Sequence, residues 1–166
     1  MINPIWLLRL WKKEDGQCND LWMDEKIELV HPNTSRLKGM LVDYNLNDLS
    51  WWTQKHNNYA TREAYEILRQ KYQLHTPEVT KTQDRWIVKF KMFYNQLPIF
   101  VRPVILFFYA YIIKLGILDG KRGLIWNFLQ VFWYRFLVDV KVFEFELKHQ
   151  YNAASIRETL IKHFED

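Results

Sequence analysis

LPIFVRPVILFFYAYIIKLGILDGKRGLIWNFLQVFWYRFLVD, residues 97–139, is the stretch on which the architecture turns. Its longest uncharged runs, residues 103–113 and 123–134, hold 11 and 12 residues. A helix that crosses a bilayer needs about 20 apolar residues. Counting through Arg102 and Lys114, with both charges snorkelling to the surface, reaches that length. The stretch permits a span and favours an interfacial or re-entrant helical segment that meets the membrane from one side. Asp119-Gly120-Lys121 marks a turn in its middle. Beyond the turn, Leu124, Ile125, Phe128, Leu129, Phe132, Phe136 and Val140 share one wide arc at helical spacing. Asn127, Gln130, Tyr134 and Lys141 form a narrower stripe opposite, flanked by Leu137 and Val138. Arg135 and Asp139 fall inside the apolar arc. Four residues apart, they are expected to pair along the helix, or Arg135 to meet a phosphate with Asp139 orienting it. Arg102, Lys114, Lys121 and Arg122 are expected to reach anionic headgroups.

On the amino-terminal side, Trp86, Phe90, Phe93, Tyr94 and Leu97 predict a helix that stops at Pro98. Residues 74–82, with Pro77 and three Thr, read as a linker and an internal boundary. Before it, Asn47 or Asp48 can cap a helix carrying Trp51, Trp52, Lys55, His56 and Tyr59 on one face. A second helix is expected from about Thr61, with Ala64, Ile67, Leu68 and Tyr72 on one side. Residues 4–11, short and apolar, predict a buried strand. Residues 12–19 read as a loop, and residues 27–30 as a short strand ended by His31-Pro32. From Phe143 the chain alternates Phe with Glu and ends in a polar, helical tail.

The whole chain has 166 residues, one domain's worth, and at 49% hydrophobic it can bury a core. Its net charge of +4 allows an anionic partner without demanding one. A single Cys excludes an internal disulfide framework and a Cys-based zinc site. With 5 Gly, no phosphate-cradling glycine loop is present. Neither His-x-x-x-His nor G-x-S-x-G occurs. The aromatic residues (8 Trp, 9 Tyr, 11 Phe) come in blocks such as Phe132-Trp133-Tyr134. Blocks suit a core or a bilayer, whereas single rings between basic residues suit nucleic acid, so no nucleic-acid partner is expected.

Two groups have the residue types for catalysis or binding. Asp24 and Glu25 stand among Trp22, Met23 and Ile27, where loss of water would raise a carboxylate toward a useful base; the same pair also suits an exposed helix start. Lys55, His56 and Tyr59 offer two cations and a hydroxyl to a phosphate or a sugar, or form a solvated helix end.

The strings NPIWLLRLWKK, WMDEKI and LKGMLVDYNLNDLSWWTQKHNNYATREA, with residues 97–139, resemble the second half of family-2 glycosyltransferases of bacterial surface-polysaccharide and lipopolysaccharide-core synthesis. The resemblance covers about residues 4–141. K-H-N-x-Y-A-T-R-E-A, G-I-L-D-G-K-x-G and F-W-Y-R-F together make it specific. It implies transfer of a sugar from a nucleotide-sugar donor to a saccharide or lipid-linked acceptor, usually with inversion, at the cytoplasmic face of the inner membrane. It implies an α+β, mostly α, fold: the carboxy-terminal remnant of a GT-A type α/β domain in residues 1–75, then aromatic amphipathic, membrane-interfacial helices in residues 76–166. Asp24 matches the general base, with Glu25 its neighbour. Asp43 stands where many relatives carry a metal-binding His, and a magnesium or manganese ion is expected for the intact enzyme. Lys55, His56, Tyr59 and Arg135 are the expected substrate-binding residues. No D-x-D motif occurs, and Gln130-Val131-Phe132 leads to Trp133-Tyr134-Arg135 instead of completing Q-x-x-R-W. The chain therefore reads as the carboxy-terminal part of a non-processive enzyme. The rival expectation is a non-catalytic, membrane-associated interaction protein derived from one.

Overall fold

The computed structural model describes residues 8–18, 27–31, 33–39, 44–74, 94 and 96–165. These fall into two compact units, Ile2–Lys55 and His56–Asp166. The described residues are mostly helical.

In the first unit, β1 (Gly16–Cys18) pairs antiparallel with β2 (Ile27–Leu29), Gln17 opposite Glu28. The Val30 N–H extends the ladder by donating to the Asp15 carbonyl at 2.9 Å. β2 lies where a strand is expected. β1 falls in the expected loop, and the reason is Gly16. A Cβ there would sit 2.2 Å from Trp11 Cδ1, so only glycine lets the indole lie against the strand. Residues 8–11 of the expected first strand are not in a sheet; residues 4–7 lie outside the described residues.

One helix, α1 (Leu49–Lys71), replaces the two expected between residues 47 and 72. Asp48 caps it, its Oδ1 accepting the Trp51 N–H at 2.8 Å. No Gly or Pro interrupts the chain near Thr61, whose hydroxyl bonds back to the Asn57 carbonyl at 3.1 Å. Propagation adds one backbone bond per residue fixed, so nothing forces a break.

The second unit is built on three helices. Ala60, Ala64 and Leu68 of α1 face Tyr134, Val138 and Val142 of a later helix, and Ile156 and Leu160 of the last one. All three rows step by four residues, the spacing of one helix face. The small side chains at Ala60 and Ala64 let the helices approach. At the end of α1, buried Glu146 accepts the Tyr72 hydroxyl at 2.9 Å and the Lys71 ammonium at 2.6 Å.

A helical hairpin extends from this core. Its first arm is α2 (Val101–Phe108), which widens into a π turn over Tyr109–Ile113. A 3-10 turn (Gly116–Asp119) forms the tip. The second arm, α3 (Gly120–Trp126), widens over Asn127–Trp133 and continues as α4 (Tyr134–Lys148), the core helix. Phe107 meets Phe132 at 6.0 Å and Phe100 meets Phe136 at 5.3 Å, ring to ring across the arms. Left-handed Gln150 and Tyr151 then turn the chain into α5 (Ala153–Glu165), capped by Asn152 Oδ1 on the Ala154 N–H at 3.0 Å. Most of the expected linker and of the helix before Pro98 lies outside the described residues.

Candidate functional site

The hairpin turns the usual polarity of a helix outward. Along the first arm Val101, Val104, Ile105, Phe108 and Ile112 are exposed, a stripe at i, i+3, i+4, i+7 and i+11. Along the second, Leu124, Ile125, Trp126 and Phe128 are exposed while Asn127 is 5% exposed. The apolar arc of the second arm thus looks outward over its first turns. The polar stripe supplies the inward residues, Asn127 and Tyr134. No single helix among the described residues is long and apolar enough to cross a membrane. The pair Val101–Ile113 and Gly116–Lys148, bent by 71° at the break, has the length and composition of a broken span or a re-entrant loop.

Charged side chains gather at the base of the hairpin. Arg102 and Asp139 are 5% and 1% exposed. Arg102 Nε donates to Asp139 Oδ1 at 2.9 Å and to Oδ2 at 3.1 Å, and its Nη2 closes a second bond to Oδ1. Asp139 Oδ2 also accepts the Phe100 N–H at 2.9 Å. Phe100, the residue before α2, has φ of 69°, a left-handed backbone that a β-substituted residue adopts only when held. Asp139 therefore does two jobs: it satisfies a buried cation and pins a strained turn at the entrance to the hairpin. This corrects the expected Arg135–Asp139 pair, and it removes Arg102 from the cations available to a headgroup. Helical spacing made the i, i+4 pair possible, but the approach of α2 supplied Asp139 with a better-placed partner.

Arg135 pairs instead with Glu63 of α1. The Tyr134 hydroxyl donates to the other oxygen of Glu63 at 2.7 Å. His56 lies edge-on to Tyr134 at 5.6 Å and to Tyr59 at 5.9 Å. Three residues marked in the sequence, His56, Tyr59 and Arg135, thus come to one place, linked by Tyr134 and Glu63. Desolvation works to lower the Arg135 pKa, but Glu63 and the phenols of Tyr94 and Tyr134 outweigh it and hold the guanidinium above its ordinary value. With a side chain 38% exposed, Arg135 keeps a face toward solvent that Arg102 lacks.

Tyr94 lies in the field of both pairs. Its hydroxyl is buried without a hydrogen-bond partner among the described residues. Burial pushes its pKa up to about 12; Arg135 and Arg102 pull it back, and Asp139 and Glu63 add to the rise. The Arg102 guanidinium stands 5.5 Å from its ring centre. Glu63, Tyr94 and Tyr134 were not marked as site residues from the sequence. Tyr134 sat on the polar stripe, which was the signal available; Glu63 gave none beyond its charge.

Lys55 stands 4.8 Å over the Trp51 ring, in an open groove of about 320 Å³ with Tyr44, Asn45, Leu46 and Asn47. Aromatic surface, two amides and one cation make a polar, wet groove within the first unit. Asp24, Glu25 and Asp43 lie outside the described residues. Among the described residues no group of three or more His, Cys, Asp or Glu is placed to hold a metal ion. Comparison with protein-family models, with curated proteins and with solved structures found no match.

Proposed function

We propose that this chain is the carboxy-terminal, membrane-docking part of a family-2 glycosyltransferase. The intact enzyme transfers a sugar from a nucleotide-sugar donor to a saccharide or lipid-linked acceptor in surface-polysaccharide or lipopolysaccharide synthesis. It works at the cytoplasmic face of a bacterial inner membrane. Residues 1–75 then complete a GT-A type domain, and residues 76–166 hold it to the membrane. The observation that carries this reading is the hairpin, which exposes Val101, Val104, Ile105, Phe108, Leu124, Ile125 and Trp126 and is joined to a three-helix core. Such a face is unfavourable in water and favourable against acyl chains. The sequence resemblance over residues 4–141 supplies the chemistry.

In this reading Asp24, with Glu25 beside it, takes the proton of the acceptor hydroxyl as the oxygen attacks the anomeric carbon. The nucleoside diphosphate leaves from the opposite face. A magnesium or manganese ion, when bound in the intact enzyme, would supply charge neutralisation for the leaving diphosphate. Asp43 is the residue of this chain with hard-cation chemistry at a matching position. Lys55, His56, Tyr59 and Arg135 bind substrate, Arg135 through the guanidinium face that Glu63 leaves open.

The test is sugar transfer by this chain joined to an amino-terminal half from the same family. Asp24→Asn is expected to abolish transfer while donor binding survives. A non-catalytic interaction protein is the reading to adopt if the joined polypeptide docks on membranes and transfers no sugar with Asp24 intact.

A further inference from the structure

We infer that the hairpin tip, residues 113–126, is a wedge that enters one leaflet of a bilayer rich in anionic phospholipid, with Lys114, Lys121 and Arg122 at the lipid phosphates. The inference rests on the membrane-docking reading and adds the segment that enters, its depth and the lipid it prefers.

Within the hairpin, apolar exposure is highest at the tip: Leu118 is 73% exposed, Ile113 67% and Trp126 61%. A turn that enters lipid must satisfy its own backbone, because acyl chains offer no hydrogen bonds. This one does so. The Lys114 N–H donates to the Tyr109 carbonyl at 2.9 Å, and the Leu115 N–H to Ile112 at 3.1 Å. The Leu118 N–H donates to the Leu115 carbonyl at 3.0 Å. Asn127 Nδ2 donates to the Gly123 carbonyl at 2.8 Å, so the polar residue inside the knuckle bonds to the backbone. The knuckle is also tight. A Cβ on Gly123 would lie 2.1 Å from the Gly116 carbonyl oxygen, so glycine at this crossing sets the width of the wedge.

Charge sets its depth. Lys114, Lys121 and Arg122 are exposed and make no salt bridge among the described residues, against one acid, Asp119. The first arm, Val101–Ile113, is about 20 Å long at 1.5 Å per residue, short of the roughly 30 Å hydrocarbon core. Cations at the far end cannot rest at mid-bilayer, so the tip sits about 5–10 Å deep. There the apolar side chains reach the acyl boundary and the long cationic ones turn back to the phosphates. A wedge with this surplus of positive charge selects an anionic leaflet.

The experiment places an environment-sensitive fluorophore at Leu118→Cys, with Arg157→Cys on α5 as reference, both in a Cys18→Ser background of the full chain. Vesicles are phosphatidylcholine alone or mixed with phosphatidylglycerol, some carrying acyl-chain quenchers. The Leu118 label is expected to shift to the blue and be quenched on phosphatidylglycerol vesicles, and the Arg157 label to do neither. Lys121→Gln with Arg122→Gln is expected to weaken partitioning about thirty-fold, about five-fold per charge. Both positions are exposed, and circular dichroism is the control that the variant is folded. Equal affinity for neutral and anionic vesicles, or a Leu118 label left in water on bound protein, overturns the wedge and leaves membrane docking standing. A Leu118 label already blue-shifted without vesicles points to a second copy as the occupant and also overturns it. No binding to either vesicle overturns both.

Discussion

Asp139→Ala removes the acceptor of three groups at once: two guanidinium donors of Arg102 and the Phe100 N–H. Arg102, 5% exposed, is left charged without a partner. Breaking a buried pair from one side costs about 3–5 kcal/mol. The left-handed turn at Phe100, worth about 1–3 kcal/mol of strain, loses its clamp as well. Against a typical stability of about 5–15 kcal/mol, the loss is a large share. The assay is urea unfolding followed by tryptophan fluorescence. Two comparisons give it meaning. Glu63→Gln breaks the more open pair, with side chains 38% and 24% exposed, and is expected to cost about 1 kcal/mol or less. Arg102→Met with Asp139→Leu replaces both buried charges and is expected to recover the buried-charge part of the Asp139→Ala loss, leaving the Phe100 turn unclamped, since an apolar pair avoids desolvation. The reasoning fails if Asp139→Ala costs less than about 1 kcal/mol, or if the double variant is no more stable than the single one.

Three further predictions concern the buried phenols, the general base and the activity of the chain alone. Tyr72 and Tyr94, both raised by burial to about 12 and Tyr72 also by Glu146, hold their protons more tightly folded than unfolded. Stability is therefore full below the ordinary tyrosine value, about 10, and falls as pH rises toward 12. Absorbance titration should show Tyr72 and Tyr94 ionising late, and Tyr72→Phe should remove one late step. In the polypeptide joined to a family amino-terminal half, Asp24→Asn should lower transfer about 10²–10⁴-fold, and retention of a tenth of the activity would require another base. The chain by itself, which carries no D-x-D, should release no nucleoside diphosphate from a panel of nucleotide sugars with magnesium or manganese; robust turnover would contradict the proposed division of labour.

Local signals were legible where local forces decide. Asn47 or Asp48 before the Trp51-Trp52 run marked the start of α1, and the Asp119-Gly120 turn marked the hairpin tip, since capping and turn chemistry act within a few residues. Residues 27–30 read as a strand for the same kind of reason. Pairing across the chain was not legible. Arg135 and Asp139 satisfy the helical spacing rule, yet each found its partner on another helix, and spacing along one helix carries no information about which helix packs beside it. The apolar arc of Leu124, Ile125 and Phe128 was visible, but periodicity says which residues share a face, not whether protein or lipid covers it. β1 stayed hidden because Gly16 reads as a loop residue until Trp11 is seen against it.

The most direct test of the account is the sidedness of the hairpin in living bacteria. A cysteine at Lys121, in a Cys18→Ser background, is probed with a membrane-impermeant maleimide. The account predicts that the protein fractionates with the inner membrane. It also predicts that the tip is unlabelled from the periplasm in cells with a permeabilised outer membrane. Periplasmic labelling would mean that the hairpin crosses. Recovery of the protein away from membranes, with a freely reactive tip, would mean that the outward apolar face does not meet lipid at all.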